Sequence, residues 1–185
     1  MKKQKQQFMV ALAVLVVFAA AYFAVKYYAG KEQEKDSDTE AEITAARVDT
    51  DKIDAFSYMV NGDTYRYKKE KDQWVCETDT SIALDSDSIS DMLENLKEVQ
   101  AEEELTDYDD LSDYGLDEPQ NQITVTIGED TKTFSIGDYN EIMGEYYLRV
   151  DGDDKIYLID SGLMDAFSKE PESLAEVEST EDELE

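Results

Sequence analysis

Residues 55–76 read AFSYMVNGDTYRYKKEKDQWVC, and the pattern in this stretch decides the fold. Apolar and aromatic side chains recur there at every second position, the period of a half-buried β-strand: Phe56, Tyr58 and Val60, then Tyr65 and Tyr67, then Trp74 and Cys76. Asn61-Gly62 is typical of a two-residue hairpin turn. The charged stretch 68–72 predicts a second turn. The sequence therefore predicts three antiparallel strands in succession.

Downstream of these strands the apolar period becomes that of a helix. One narrow stripe is formed by Ile89, Met92, Leu93, Leu96 and Val99. Ser88, followed three residues later by Asp91, is the predicted N-terminal cap. Further on, residues 111–114 predict a short helix that Gly115 closes in the left-handed conformation. We interpret Tyr114-Gly115-Leu116 as this structural end, a Schellman motif with Leu116 on Leu111, rather than as a binding site.

A second run of strands follows. Its alternating apolar positions are Ile123, Val125, Ile127, Phe134, Ile136, Tyr146, Leu148, Val150 and the continuous run 156–159. We expect Gly137 to begin a loop that reaches Gly144, and Ser161 to cap a short helix that Pro171 ends. Short turns favour antiparallel pairing. The fold class is thus predicted as α+β, a small antiparallel sheet with helices on one face.

The N-terminus has a different character. Residues 8–25 are apolar and uncharged, about the minimum for a membrane-spanning helix. Aromatic residues cluster at the far end of this run, as at a membrane interface. The sequence predicts a cytoplasmic segment over 1–7, a transmembrane anchor over 8–28, a flexible tether over 29–50, an extracytoplasmic domain over 51–171 and an acidic, disordered tail over 172–185. Cleavage of a secretory signal near Ala19-Ala20-Ala21 is the alternative.

Charge restricts the possible partners. The chain carries a net charge of −29, and all four lysines of residues 1–30 lie in a segment without acids, so the rest is more acidic still. Such a surface repels nucleic acid and anionic headgroups. It also opposes self-association, so we expect a monomeric domain outside the membrane that does not bind nucleic acid. The bilayer, through residues 8–28, is the first expected partner.

Composition also restricts the chemistry. The chain has no histidine, which excludes Ser-His-Asp and Cys-His catalysis and most zinc sites. The single cysteine, Cys76, is expected to be a buried small side chain. Two acidic stretches, 85–89 and 151–154, alternate oxygen ligands in the manner of calcium loops. Neither has the glycine and glutamate that the twelve-residue loop needs. We therefore predict no enzyme activity, no catalytic residue, no cofactor and no metal site.

The order of these features resembles a known bacterial family, the domain of unknown function DUF4340. The landmarks span roughly residues 50–170: Trp74-Val75, the stripe from Ile89 to Val99, residues 114–119 (YGLDEP), residues 134–137 (FSIG), residues 147–149 (YLR) and residues 156–159 (IYLI). The resemblance implies an N-terminal anchor with an extracytoplasmic domain, and in some members an auxiliary role beside ABC transporters of the gliding-motility type. It implies no catalytic residues.

The function expected from these observations is that of a non-enzymatic, single-pass protein of the cell membrane. Its N-terminus would be cytoplasmic and its domain extracytoplasmic. The domain would act as an accessory or docking component of a membrane complex, for which an ABC transporter permease is one possible partner. The alternative is an independent binding module for envelope polymer, peptide or cation.

Overall fold

A computed structural model describes residues 43–176 of the chain. The strands are β1 Ile43–Arg47, β2 Ala55–Val60, β3 Asp63–Glu70, β4 Gln73–Cys76, β5 Glu98–Ala101, β6 Glu103–Leu105, β7 Asn121–Ile127, β8 Asp130–Asn140, β9 Glu145–Val150 and β10 Ile156–Ile159. The helices are α1 Ser86–Glu94 and α2 Gly162–Ala166, with 3-10 turns at Thr50–Lys52, Leu111–Tyr114 and Pro171–Leu174.

Eight of these strands form one antiparallel sheet in the order β4-β3-β2-β7-β8-β9-β10-β6. Pairing of β2 with β7 joins the first three strands to the second run. The remaining two strands, β1 and β5, pair with each other. The predicted small antiparallel-sheet domain is confirmed, and the described residues contain few helices. The run 156–159, apolar on both faces, is an internal strand between β9 and β6, as its pattern indicates.

The first hairpin turn has the predicted geometry. Asn61 and Gly62 have φ values of 54° and 89°, the positive pair that a two-residue turn needs to match the twist of its strands. The second turn consists of Lys71 and Asp72, with φ values of 52° and 67°. Strand β3 therefore extends to Glu70, further than the charged stretch 68–72 suggested.

One face of the sheet carries the main core. The rings of Phe56 and Tyr67 stack 4.6 Å apart, and Tyr58 lies 5.5 Å from Tyr67. Both α-helices bury side chains in this same cluster, namely Ile89, Met92 and Leu93 from α1 and Leu163 and Ala166 from α2. The buried hydroxyl groups of Tyr58 and Tyr67 lie 2.9 Å apart, and Tyr58 also donates to the carbonyl oxygen of Lys169.

Helix α1 differs from its prediction at both ends. Its cap is Asp85 rather than Ser88, because both carboxylate oxygens of Asp85 accept backbone N–H groups of the first turn. It ends at Glu94, where the side-chain amide of Asn95 donates to the carbonyl oxygens of Asp91 and Met92 in the last turn. Val99, predicted on the helical stripe, is instead a buried residue of β5.

The folded domain extends beyond 51–171 in both directions. Residues 43–50, expected in the tether, contain β1, whose residues Ala45 and Ala46 are buried. At the other end Leu174 is 1% exposed, and its carbonyl oxygen accepts the backbone N–H of Asp85. Both segments are therefore joined to the core by buried small or apolar side chains.

Across residues 43–176, no helix is both long enough and apolar enough to cross a membrane. The predicted segments 1–7 and 8–28, most of the tether, and residues 177–185 of the predicted tail lie outside the described residues.

Candidate functional site

The connection from β6 to β7, residues 106–120, is here named the crossover. Three strands, β8, β9 and β10, separate β6 from β7 in the sheet, so the crossover must pass over them. It lies on the face opposite the main core, where the buried residues Leu116, Ile156 and Leu158 belong to no part of the main cluster. The crossover therefore gives this half of the sheet a second apolar layer.

The predicted helix end within the crossover is confirmed. Gly115 is left-handed, with φ 64° and ψ 22°. Its N–H donates to the carbonyl of Ser112, and the N–H of Leu116 donates to the carbonyl of Leu111, the two bonds of a Schellman motif. The turn before it is a 3-10 helix, capped by the carboxylate of Asp110. This positions the backbone of Tyr114 and Gly115 over strand β8.

Two landmark segments meet there, backbone against backbone. A Cβ atom added to Gly137 would lie 2.1 Å from the carbonyl oxygen of Tyr114, far inside contact distance. A Cβ atom added to Gly115 would lie 2.6 Å from the carboxyl carbon of Asp138. Glycine at both positions therefore allows the close approach. The sequence predicted a loop beginning at Gly137. Strand β8 instead shifts register between Ile136 and Tyr139 and continues to Asn140.

Aromatic contacts connect the crossover to the β8–β9 hairpin. The ring of Tyr114 lies 4.9 Å from that of Tyr147 in an edge-to-face arrangement, a favoured geometry for aromatic pairs. Tyr108 packs on Tyr114 from the other side, and its hydroxyl donates to the carbonyl oxygen of Asp154. The hydroxyl of Tyr147 in turn accepts a hydrogen bond from the side-chain amide of Asn140, at 2.8 Å.

The end of this hairpin, residues 139–146, is here named the hairpin tip. Within the described part of the chain the large hydrophobic side chains that are exposed all lie on it: Tyr139 at 46%, Ile142 at 93% and Met143 at 50%. Asn140 holds the tip in shape, because its side-chain oxygen accepts the N–H groups of Ile142 and Met143 at 3.0 and 3.1 Å. The tip is thus an ordered turn that presents two adjacent apolar side chains to solvent.

The hairpin tip also contains an acidic group that is partly buried. Glu145 is half-buried, and its Oε2 atom has no hydrogen-bond partner among the described residues. Burial, together with the nearby charges of Glu102, Glu103 and Asp160, raises the pKa of Glu145. A carboxylate surrounded by like charges is destabilised in its ionised form. This side of the tip therefore favours an approaching cation.

The substitution Glu145→Gln should stabilise the domain at neutral pH. Because the pKa is raised on folding, the folded protein binds this proton more tightly than the unfolded chain does, and it loses stability as the pH rises above the ordinary carboxyl range. The amide removes that loss. We expect thermal melting at pH 7 to rise by about 1–3 °C. The gain should vanish at a pH below the ordinary pKa, and Glu141→Gln on the exposed turn is the control. An equal gain at both pH values would contradict this explanation.

A polar groove of about 220 Å³ lies elsewhere on β7, β8 and β9. Its lining is Gln122, Thr133, Ser135, Arg149 and Asp151. Tyr147 and Arg149 are two residues apart on β9 and so share a face of the sheet. The groove therefore lies on the same face as the crossover, and it offers hydroxyl, amide, guanidinium and carboxylate groups to a polar ligand.

One carboxylate in each of the acidic stretches 85–89 and 151–154 makes hydrogen bonds within the fold. The carboxylate of Asp85 caps α1 and also accepts the hydroxyl of Ser88 at 2.6 Å. The carboxylate of Asp153 accepts the hydroxyl of Tyr157 and the N–H of Lys155, and the pKa of Asp153 is lowered chiefly by the first of these bonds. Cys76 is buried in the core, with its sulfur 3.2 Å from the hydroxyl of Thr78.

The hairpin tip was missed at the level of sequence. Gly137 and Gly144 marked the segment as a loop, and Ile142-Met143 was given no role. Two adjacent large apolar residues inside a predicted loop were the available signal, since such residues are otherwise found mainly in strands and helices.

A family model described as Domain of unknown function (DUF4340) matches residues 74–179, more than half of the chain. The match confirms the resemblance seen in the landmark residues, although it begins at Trp74 rather than near residue 50 and continues past residue 170. Comparison with curated proteins and with solved structures found no match. The family description names no activity.

Proposed function

We propose that this chain, which belongs to the DUF4340 family of domains of unknown function, is a membrane-anchored, non-enzymatic docking component of a membrane complex such as an ABC transporter. In this proposal residues 8–28 span the cell membrane with the N-terminus in the cytoplasm, and the folded domain is extracytoplasmic. The single observation that carries the docking role is the hairpin tip, where the exposed large hydrophobic side chains of the described residues are gathered.

Burial of the tip supplies a physical reason to dock. Single exposed apolar residues are ordinary on protein surfaces, but a cluster on one ordered turn marks an interaction site more often. Removing Ile142 from water would contribute about 1.5–3 kcal/mol, and Met143, which is already half covered, would contribute about half as much. The acidic surface around them keeps the free domain soluble. A non-enzymatic role is consistent with the absence of histidine from the sequence.

Detergent extraction tests this proposal. The full-length chain, extracted from its own membranes in mild detergent, should co-purify with a membrane protein. The double substitution Ile142→Ser, Met143→Ser should lower the co-purified amount by about tenfold or more, because central apolar anchors dominate binding energy. The control is Glu129→Ser, Asp130→Ser in the turn at the other end of β8, which should leave the yield unchanged. Equal yields from both double variants would reject the tip as the docking element.

The polar groove favours the second candidate function, that of an independent module for envelope polymer or peptide. Its hydroxyl, amide and guanidinium groups can bind hydroxyl and carboxylate groups of such a ligand. Thermal melting of the chain with soluble envelope fragments distinguishes the two functions. A stabilisation that Arg149→Ala removes, and that Ile142→Ser does not, would favour the binding module.

A further inference from the structure

We infer that the hairpin tip inserts into an apolar cavity of a partner protein in the membrane, and that lysine or arginine side chains line the rim of that cavity. The inference rests on the proposed docking function and specifies the chemistry of the partner. It joins two features of the same hairpin: the exposed pair Ile142 and Met143, and the carboxylates that surround them.

The tip is ordered before it meets a partner. Asn140 accepts both N–H groups of the exposed pair, its carbonyl accepts the N–H of Gly144, and its amide is fixed on Tyr147. The ring of Tyr139 packs on that of Tyr146 across the hairpin, with the centroids 4.9 Å apart. A turn already fixed in one shape loses little conformational entropy on binding. The shape that fits is a cavity large enough for two adjacent aliphatic side chains.

The surroundings of the tip are acidic on more than one side. Glu141 is exposed on the turn itself and Asp138 is exposed on β8. The unpartnered Oε2 atom of Glu145 lies beside the turn, opposite Asn140 in the strand pairing, where Glu102 and Glu103 contribute further negative charge. A cavity that accepts the apolar pair brings its own rim against these carboxylates. Cationic side chains there would be attracted, whereas acidic ones would be repelled.

The same charges disfavour two other occupants of this surface. A second copy of the chain would place like carboxylates against one another, at a cost that grows as the separation falls. Insertion into the bilayer would carry the carboxylates of Glu141 and Glu145 out of water, which is costly for charged groups without partners. A partner protein with a basic rim satisfies both the apolar pair and the acids around it.

Photo-crosslinking in the native membrane tests the inference. A benzophenone amino acid is placed at position 142 of the full-length chain, and at position 129 in a control. The crosslinked peptide is identified by mass spectrometry. We expect position 142 to form an adduct with one other membrane protein, at a site with apolar residues and nearby lysine or arginine. The substitution Glu141→Lys should lower adduct yield about fivefold, the upper range for one exposed ion pair. Glu129→Lys should not change it.

The possible failures are distinguishable. An adduct with lipid, or with a second copy of this chain, would overturn the inference. An adduct with another protein would also overturn the inference if Glu141→Lys did not change the adduct yield. The docking function would then stand. Co-purification of a partner without any adduct at position 142 would also overturn the inference alone. If neither an adduct nor a co-purified partner is found, the docking function is overturned as well. Melting of each full-length variant in detergent checks that it is folded.

Discussion

Replacing Gly137 by alanine should destabilise the domain by about 3 kcal/mol, the upper range for overpacking a well-packed site. The added Cβ atom would lie 2.1 Å from the carbonyl oxygen of Tyr114. That oxygen belongs to backbone held by the Schellman motif, so it cannot rotate away as a side chain would. The crossover must lift from β8 to relieve the overlap. Thermal melting should fall by about 6–12 °C in a domain of this size.

The matched control is Gly128→Ala. Gly128 has φ 61°, and a Cβ atom there would meet nothing within 4 Å. This change therefore imposes backbone strain without a collision, and its expected cost is about 1 kcal/mol. A melting temperature for Gly137→Ala as high as that of Gly128→Ala would show that the crossover does not pack on β8 as described.

Lifting the crossover should also disturb the hairpin tip. Tyr114 contacts Tyr147, and Tyr147 accepts the amide of Asn140 that holds the tip. A continuous series of contacts therefore runs from the landmark segment 114–116 to the exposed pair. The landmark residues would thus support the proposed docking without themselves touching a partner, in keeping with the structural interpretation of Tyr114-Gly115-Leu116.

Much of this fold was predictable because its signals are local. The period of two in residues 55–76 and the Asn61-Gly62 turn depend on neighbouring residues alone, and both were confirmed. The Gly115 helix end was also predictable, since the left-handed position and the bonds that close it lie within six residues. The prediction that Val99 lies on the helix was wrong, because α1 is capped at Asn95. The segment after it pairs with β1 as a strand, and β1 lies some fifty positions away in the sequence.

The candidate site was less predictable because it depends on distant contacts. Glycine is common in loops, so Gly137 predicted the end of a strand. In the structure, Gly137 instead lets the backbone of Tyr114 approach a strand that continues. The crossover contact joins segments more than twenty residues apart. The exposure of Ile142 follows from the path of β8 beyond the register shift, which no local pattern specifies.

Asn121 is a polar residue whose buried position follows from the strand period. It lies two residues before Ile123, so the strand period places it on the core face, where its side chain is fully buried. Its oxygen accepts the N–H of Met59 at 3.0 Å, and its amide donates to the carbonyl of Phe167 at 2.7 Å. The backbone pairing of β2 with β7 includes only residues 55–57 on β2. The side chain of Asn121 thus adds a hydrogen bond between β2 and β7 beyond the backbone pairing, and it also binds the segment after α2.

The substitution Asn121→Ala should therefore cost about 2–3 kcal/mol, because it leaves the half-buried N–H of Met59 and the buried carbonyl of Phe167 without partners. The substitution Asn121→Asp tests the two hydrogen bonds individually, because the protonation state of the carboxyl group decides whether it can donate. At pH 7 the introduced carboxylate can accept from Met59 but places a second oxygen against the carbonyl of Phe167, in a buried site that disfavours charge. Protonation supplies the missing donor. The pKa of this carboxyl should therefore be raised on folding, so that stability is regained as the pH falls from 7 toward 4.

Melting curves of both variants, each compared with the unsubstituted chain at the same pH, measure the effect. The deficit of Asn121→Asp should shrink over this range while that of Asn121→Ala stays constant, and parallel deficits would show that the amide of Asn121 is not the donor to Phe167.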